Sequence, residues 1–523
     1  MGCAYIKQDF GKLPKTDLLT LLFESMSLHF SAANPEIYLT KAMLHAFIER
    51  IAYFLRHTLP GQPAAPAAFF GTIAAGGVVS SALHSSTSEE LTRQIQQGKS
   101  GVLIVSGDKV ELGRTAAELA RFGLDRVVVL SSEPRWEERC LEGEKNVNVE
   151  NGERMTGQRV TDEDELKRSL IVLLYSSETT GSNLIVNGTG VVLSCLNPVA
   201  QLYIPSVQAR AHIASFHSCR RPTTHPLPSA RSRTLVHLPI AHIAGVAGYI
   251  IGPLFNGGAG YWMPKFSWKP FLEYTKTLRI TDFYMIPSIY LGISRSSEVT
   301  DQFDTVGTAL TSAAPRDAHM QPDANARPGR GKMRISQAWG LSETTGVVTA
   351  MPRGSSDTTN SISPILPNME ICLVDDSYQD VTPGQLGELI VRGPFVSNEY
   401  FDNEDATKST FYHDWFCTGD IAVGRAGKLY IGLQIAPAEI ENLFITHPDI
   451  LEAAMVGMPI EGGSEVPRAY VVSRDKGVLG KKDIRGAVKR GLAAYKQLRG
   501  WGEVFGESTE GCCGEDLEKS VEG

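Results

Sequence analysis

Paired cysteines are missing from this chain. Its 523 residues hold eight cysteines, Cys3, Cys140, Cys195, Cys219, Cys372, Cys417, Cys512 and Cys513, scattered and without a C-x-x-C pair. They read as reduced intracellular thiols, which argues against a disulfide or zinc framework. Strong charge of one sign is missing too. Fifty Lys and Arg against 58 Asp and Glu leave −8 at pH 7, too mild for a nucleic-acid partner. Long apolar runs are interrupted. Thr179 to Ala209 and Thr234 to Pro264 carry no Lys, Arg, Asp or Glu, but glycines and prolines break both. They read as buried loop and strand, so no stable membrane insertion is expected. No positively charged leader with an apolar stretch appears, so secretion is not expected; Ile6 stands where a myristoylation site needs Ser or Thr, and Val521-Glu522-Gly523 does not match a peroxisomal ending. The expectation is an intracellular, cytoplasmic protein.

What is present is ample for a large core. With 42% hydrophobic and 21% charged residues, the chain is globular. Its length suggests three or four folding units of about 150 residues. Thr87-Ser88-Glu89-Glu90 spells a capping box, and the helix it starts is expected to stop at Gly98. Val102 to Val105 then reads as a buried strand, Ala116 to Phe122 as a helix, and Val127 to Leu130 as a strand. Such alternation predicts an α/β fold with mostly parallel sheets covered by helices. Asn146 to Glu165 is polar and acidic, and reads as a surface linker.

The middle has no acidic residue from Thr179 to Leu272, and Ser215 to Arg233 reads as an exposed or disordered loop. After about Asp420 the composition shifts from strand-rich to a helix opening at Ala436-Pro437-Ala438-Glu439. This divides the chain into a large domain at 1–420, which includes a small β-rich subdomain, and a small α+β domain at 421–502. Residues 503–523, with seven acids, read as a frayed tail.

Three clusters suggest chemistry. In Leu173-Leu174-Tyr175-Ser176-Ser177-Glu178-Thr179-Thr180-Gly181 an apolar strand runs into a hydroxyl-rich loop, suited to wrapping polyphosphate oxygens. A plain Ser/Thr turn fits that segment equally. In Gln337-Ala338-Trp339-Gly340-Leu341-Ser342-Glu343-Thr344-Thr345-Gly346, Trp339 offers a flat surface for a base and Glu343 a hard oxygen ligand for Mg²⁺. A helix start is the simpler alternative. In Trp415-Phe416-Cys417-Thr418-Gly419-Asp420, an aspartate at a strand's end suits two ribose hydroxyls, though an ordinary turn also fits.

Taken in order with Leu238-Pro239-Ile240-Ala241-His242, Gly387-Glu388-Leu389-Ile390-Val391-Arg392-Gly393-Pro394 and Ala436 to Glu441, these clusters resemble the adenylate-forming superfamily. The nearest likeness is to acyl-CoA synthetases of the 4-coumarate–CoA ligase type, as in fungi, from about Ala67 to Gly500. Leu366 to Glu370 and Val466 to Val472 also fit. The resemblance implies that a small carboxylic acid attacks the α-phosphate of Mg·ATP, and that coenzyme A then displaces AMP. It would place phosphates at Ser176, Ser177, Thr179, Thr180 and Gly181, and the adenine and acyl pocket at Ala313, Ala314, Pro315, Trp339 and Gly340. Ser342 and Glu343 would face phosphate and Mg²⁺, Asp420 the ribose, and His242 the carboxylate-binding wall.

Four departures stand out. Glu178 replaces a glycine of the phosphate loop, and Ser182 to Gly190 replaces a segment that carries a lysine. Lys428-Leu429-Tyr430-Ile431 runs directly into Gly432-Leu433-Gln434-Ile435, without the family's hinge stretch. The lysine-bearing C-terminal ending gives way to the acidic tail, so the small lid domain reads as truncated. The abruptness of these changes fits mis-drawn exon boundaries better than gradual divergence. Two other readings stay open: a nucleotide- or acyl-binding pseudoenzyme, and an adenylation enzyme loading a separate carrier protein.

Overall fold

A computed structural model describes residues 13–22, 28–31, 38–40, 44, 65–131, 137–141, 159–175, 190–219, 232–263, 266–286, 289–290, 292–293, 296–311, 334–351, 357, 359, 361–362, 364–431, 450–460, 464–473 and 503–506. The capping box forms as spelled. Thr87 Oγ1 accepts from Glu90 N at 3.2 Å, and the Glu90 carboxylate accepts from Thr87 N at 2.8 Å, opening the helix Ser88–Gln97. Leu91 and Ile95, one turn apart, bury its apolar face. Gly98 ends it at φ −74°, and Lys99 takes the left-handed conformation at φ 48°. Space at Gly98 is tight, since a Cβ there would meet Gln94 O and Tyr175 Oη at 3.0 Å.

Strands Leu103–Ser106 and Val127–Ser131 pair in parallel, and Glu137–Cys140 adds an antiparallel edge. The helix between the parallel strands spans Val110–Leu119, earlier than the expected 116–122. It lies close on the sheet at Gly113, where a Cβ would sit 2.5 Å from Val105 Cγ1. The expected acidic linker turns helical at its end. Asp162 caps the helix Glu163–Arg168, with Oδ1 accepting from Glu165 N at 2.8 Å. A second sheet joins Val79–Ser80, Leu170–Tyr175 and Gly190–Ser194, the last pair antiparallel with Tyr175 opposite Gly190.

The largest sheet has seven strands. In order these are Arg334–Gln337, Thr308–Thr311, Asp282–Met285, Arg233–Val236, Ala259–Trp262, Leu28–Ser31 and Tyr38–Thr40, parallel except for the last pair. The two stretches read as buried loop and strand both contain helix. Leu196–Cys219 is one helix of 24 residues. Pro198 stands in its first turn, where no amide proton is required, and Pro205 is tolerated inside. This helix takes in Ser215 to Cys219, and Arg233 begins a strand, so both ends of the expected loop are ordered structure. Residues 220–231 lie outside the description. In the other stretch Ile243 to Asn256 is helical with a π turn at Val246–Ile251, and Gly257 closes it at φ 66°. Among the described residues no helix is long and apolar enough to cross a membrane.

A β-rich unit follows. Glu370–Val374, Leu386–Arg392, Trp415–Arg425 and Phe411–Tyr412 form an antiparallel sheet, and Lys428–Ile431 pairs with Trp415–Arg425. Residue 420, the expected end of the large domain, therefore falls inside a strand, and this sheet continues to Ile431. Toward the C-terminus Ile450–Ile460 and Ser464–Ser473 pair antiparallel, and Glu503–Gly506 adds a parallel strand. Those four residues, expected in the frayed tail, are thus strand. The expected helix at Ala436 lies outside the described residues.

Candidate active site

The segment around Glu343 is a hairpin, not a helix start. Trp339–Leu341 and Gly346–Thr349 run antiparallel, with a bulge between Trp339 and Gly340. The strands approach so closely that a Cβ on Gly340 would lie 1.7 Å from Gly346 O, which only glycine permits. Thr344 Oγ1 accepts from Leu341 N at 2.7 Å and donates to Gly346 O at 2.8 Å, tightening the turn. Thr345 is held at φ 54°, and its hydroxyl donates to Phe395 O at 2.6 Å. Such a left-handed threonine is costly, and that outside bond holds it in place. Ser342, half-buried, stands at the turn beside Glu343.

Glu343 is 7% exposed. Its main-chain oxygen accepts from Ser397 N at 2.6 Å, and its carboxylate accepts from Tyr400 Oη at 3.1 Å. Burial raises its pKa, the nearby Asp420 adds to the rise, and its hydrogen bonds oppose it. The Tyr400 phenol is pushed far upward by burial and by Glu343, so it acts as a proton-bearing donor. No local pattern in the sequence marks Tyr400.

Tyr400 sits in a strap, residues 397–402, anchored along its length. Asn398 Nδ2 donates to Lys167 O at 3.0 Å, and Glu399 O accepts from Val192 N at 3.2 Å. Phe401 N donates to Gly190 O at 2.7 Å, and Asp402 pairs with Lys99 Nζ at 2.6 Å. Tyr400 itself bridges to Val191. The strap thus binds the strand that leads out of the expected phosphate loop, and its tyrosine reaches Glu343. The loop residues Ser176, Ser177, Thr179, Thr180 and Gly181 lie outside the description. So do Ala313, Ala314 and Pro315, the departure at Glu178, the stretch after Ile431 and the tail beyond Gly506.

Asp420 does not end its strand. Trp415–Arg425 continues through it, across a register shift opposite Glu388 to Ile390, with Gly419 at φ 72°. Asp420 N donates to Thr418 Oγ1 at 3.1 Å, and its Oδ2 accepts from Trp339 Nε1 at 2.8 Å. Burial raises the Asp420 pKa against the pull of that indole bond. Trp339 is 7% exposed and packs in a core cluster with Ile204, Val348 and Phe395, so it is not the open stacking surface expected. The hairpin folds its ring inward.

The structure therefore brings Trp339, Gly340, Ser342, Glu343 and Asp420 together. His242 precedes the short helix Ile243–Gly245, makes no capping bond, and is exposed. Its neighbour Ile243 reaches the hairpin, 3.7 Å from where a Cβ on Gly346 would stand. Among the described residues no three His, Cys, Asp or Glu side chains group to hold a metal. One buried carboxylate suits Mg²⁺, which commonly takes one or two protein carboxylates and completes its shell from phosphate and water.

Residues 49–401 match the family described as AMP-binding enzyme, and residues 439–502 match the AMP-binding enzyme C-terminal domain. The protein named "Putative acyl-coenzyme A synthetase" of Emericella nidulans is 36% identical over 539 aligned positions, covering 96% of this chain and 94% of that one. 4-Coumarate–CoA ligase-like 2 of Arabidopsis thaliana is 27% identical over 459 positions, covering 83% of this chain and 75% of its own. ATP-bound MatB from Rhodopseudomonas palustris shares the fold, with a TM-score of 0.64 at 20% identity over 96% of this chain and 98% of that one. The chain belongs to the AMP-binding, adenylate-forming enzyme family.

Proposed function

We propose that the chain is an AMP-forming acid–thiol ligase. It activates a small carboxylic acid with ATP as an acyl-adenylate and passes the acyl group to coenzyme A. The acyl-CoA synthetase and ligase names of its relatives support the class. The observation that carries the site is the pairing of a buried and a half-buried carboxylate with neutral donors. Tyr400 holds Glu343 and Trp339 holds Asp420, and the two acids are close enough for Asp420 to raise the Glu343 pKa.

In this reading Asp420 accepts from the ribose hydroxyls and Glu343 holds Mg²⁺. When bound, the ion supplies charge neutralisation to the phosphates. Ser342 faces the phosphates beside the loop residues Ser176, Ser177, Thr179, Thr180 and Gly181. Ala313, Ala314, Pro315 and Gly340 line the adenine and acyl pocket, and His242 stands at the carboxylate end. We place the division between body and lid after Ile431, where the five-stranded sheet ends. The substrate class is an aryl or medium-chain acid.

The test is AMP release and pyrophosphate exchange across a panel of carboxylic acids, comparing the natural chain with Glu343→Ala. Acid-dependent exchange is expected, reduced about 10²–10³-fold in the variant. Nucleotide binding without exchange would identify a non-catalytic binder instead. Acid-dependent exchange that E343A leaves unchanged would remove Glu343 from the metal site.

A further inference from the structure

We propose that Trp339 is a positioning residue whose indole N–H orients the Asp420 carboxylate for the ribose through a direct hydrogen bond. This rests on the reading of Asp420 as the ribose acceptor. An indole N–H only donates, so the contact at 2.8 Å commits Asp420 Oδ2 as acceptor and leaves Oδ1 for an incoming hydroxyl.

Both partners are held rigidly. Trp339 N donates to Thr349 Oγ1 at 3.0 Å, and its ring is packed in the core of the β-rich unit. Gly340 lets the hairpin close directly behind it. On the acceptor side, Gly419 in the left-handed region turns the strand, and Gly419 N donates to the Glu388 carboxylate at 2.9 Å. Asp420 N is bound to Thr418 Oγ1, whose own proton goes to Leu389 O. A carboxylate fixed at its backbone and at one oxygen has little rotamer freedom to lose when a ligand arrives, and pre-organisation of this kind raises affinity. A phenylalanine at 339 would keep most of the aromatic packing and lose only the donor.

The experiment measures AMP and 2′,3′-dideoxy-AMP binding by calorimetry on the full chain and on Trp339→Phe. The natural chain is expected to favour AMP by about 30-fold. W339F should lower that preference at least about fivefold while changing affinity for the dideoxy nucleotide less than about twofold, the signature of coupling between neighbouring groups. Equal losses for both nucleotides would make Trp339 a packing or stacking residue and overturn the proposal, leaving the ligase reading intact. Failure of the natural chain to bind either nucleotide would overturn both.

A second measurement needs neither nucleotide nor W339F. Of the six indole N–H resonances in a ¹⁵N-labelled chain, one should move upfield in Asp420→Ala. If none moves, the proposal fails.

Discussion

Glu343 and Tyr400 show how one hydroxyl can set the charge state of a buried acid. Burial works against the Glu343 carboxylate, and the phenol at 3.1 Å works for it. In Tyr400→Phe the charged form loses that donor, so its pKa rises further. Activity that needs the carboxylate should then fail at a higher pH on the acid side, with about a tenfold loss near neutrality. AMP release measured against pH for both chains checks this, and superimposable profiles would reject it. Glu343 was readable in the sequence because it sits in a compact hydroxyl- and glycine-rich cluster. Tyr400 was not, because it meets Glu343 from 57 residues further on. Asp420 was found for its neighbours Thr418 and Gly419, yet its indole partner lies 81 residues upstream in a different cluster.

Secondary-structure elements were legible wherever their signals were local. The helix Ser88–Gln97 starts at its capping box because both reciprocal bonds span only three residues. Thr87→Ala removes the acceptor for Glu90 N and should cost this helix about 1 kcal/mol. Hydrogen exchange of the Ser88–Gln97 amides reads that local loss better than a global melt, since a chain of several domains need not unfold in one step. Protection unchanged in the variant would show that tertiary packing alone sustains the helix. The long helix Leu196–Cys219 escaped reading. Its two prolines, its nearly uncharged sequence and its weak periodicity are also what a buried loop would show, and only contact with neighbouring elements separates the two.

For the chain as a whole, a buried histidine couples stability to pH. His237 is 8% exposed, surrounded by Tyr249, Phe266, Phe271 and Phe283, and its Nδ1 donates to Leu235 O at 2.9 Å. Its Nε2 is buried without a partner among the described residues, and burial lowers its pKa to about 4, against the weaker pull of Leu235. Unfolded histidine titrates near 6.5, so between pH 6.5 and 4 the unfolded chain binds the extra proton. Stability is full above pH 6.5 and falls by about 3 kcal/mol as pH drops to 4. Urea titrations at pH 7.5 and 5 should show His237→Phe losing less stability than the natural chain, and equal losses would refute the assignment. Motif order, strand runs and helix caps could be read in advance because each depends on residues a few positions apart. The pairing of Trp339 with Asp420, the strap at 397–402 and the inward turn of Trp339 could not. They depend on which distant segments pack together, and no short-range pattern records that choice.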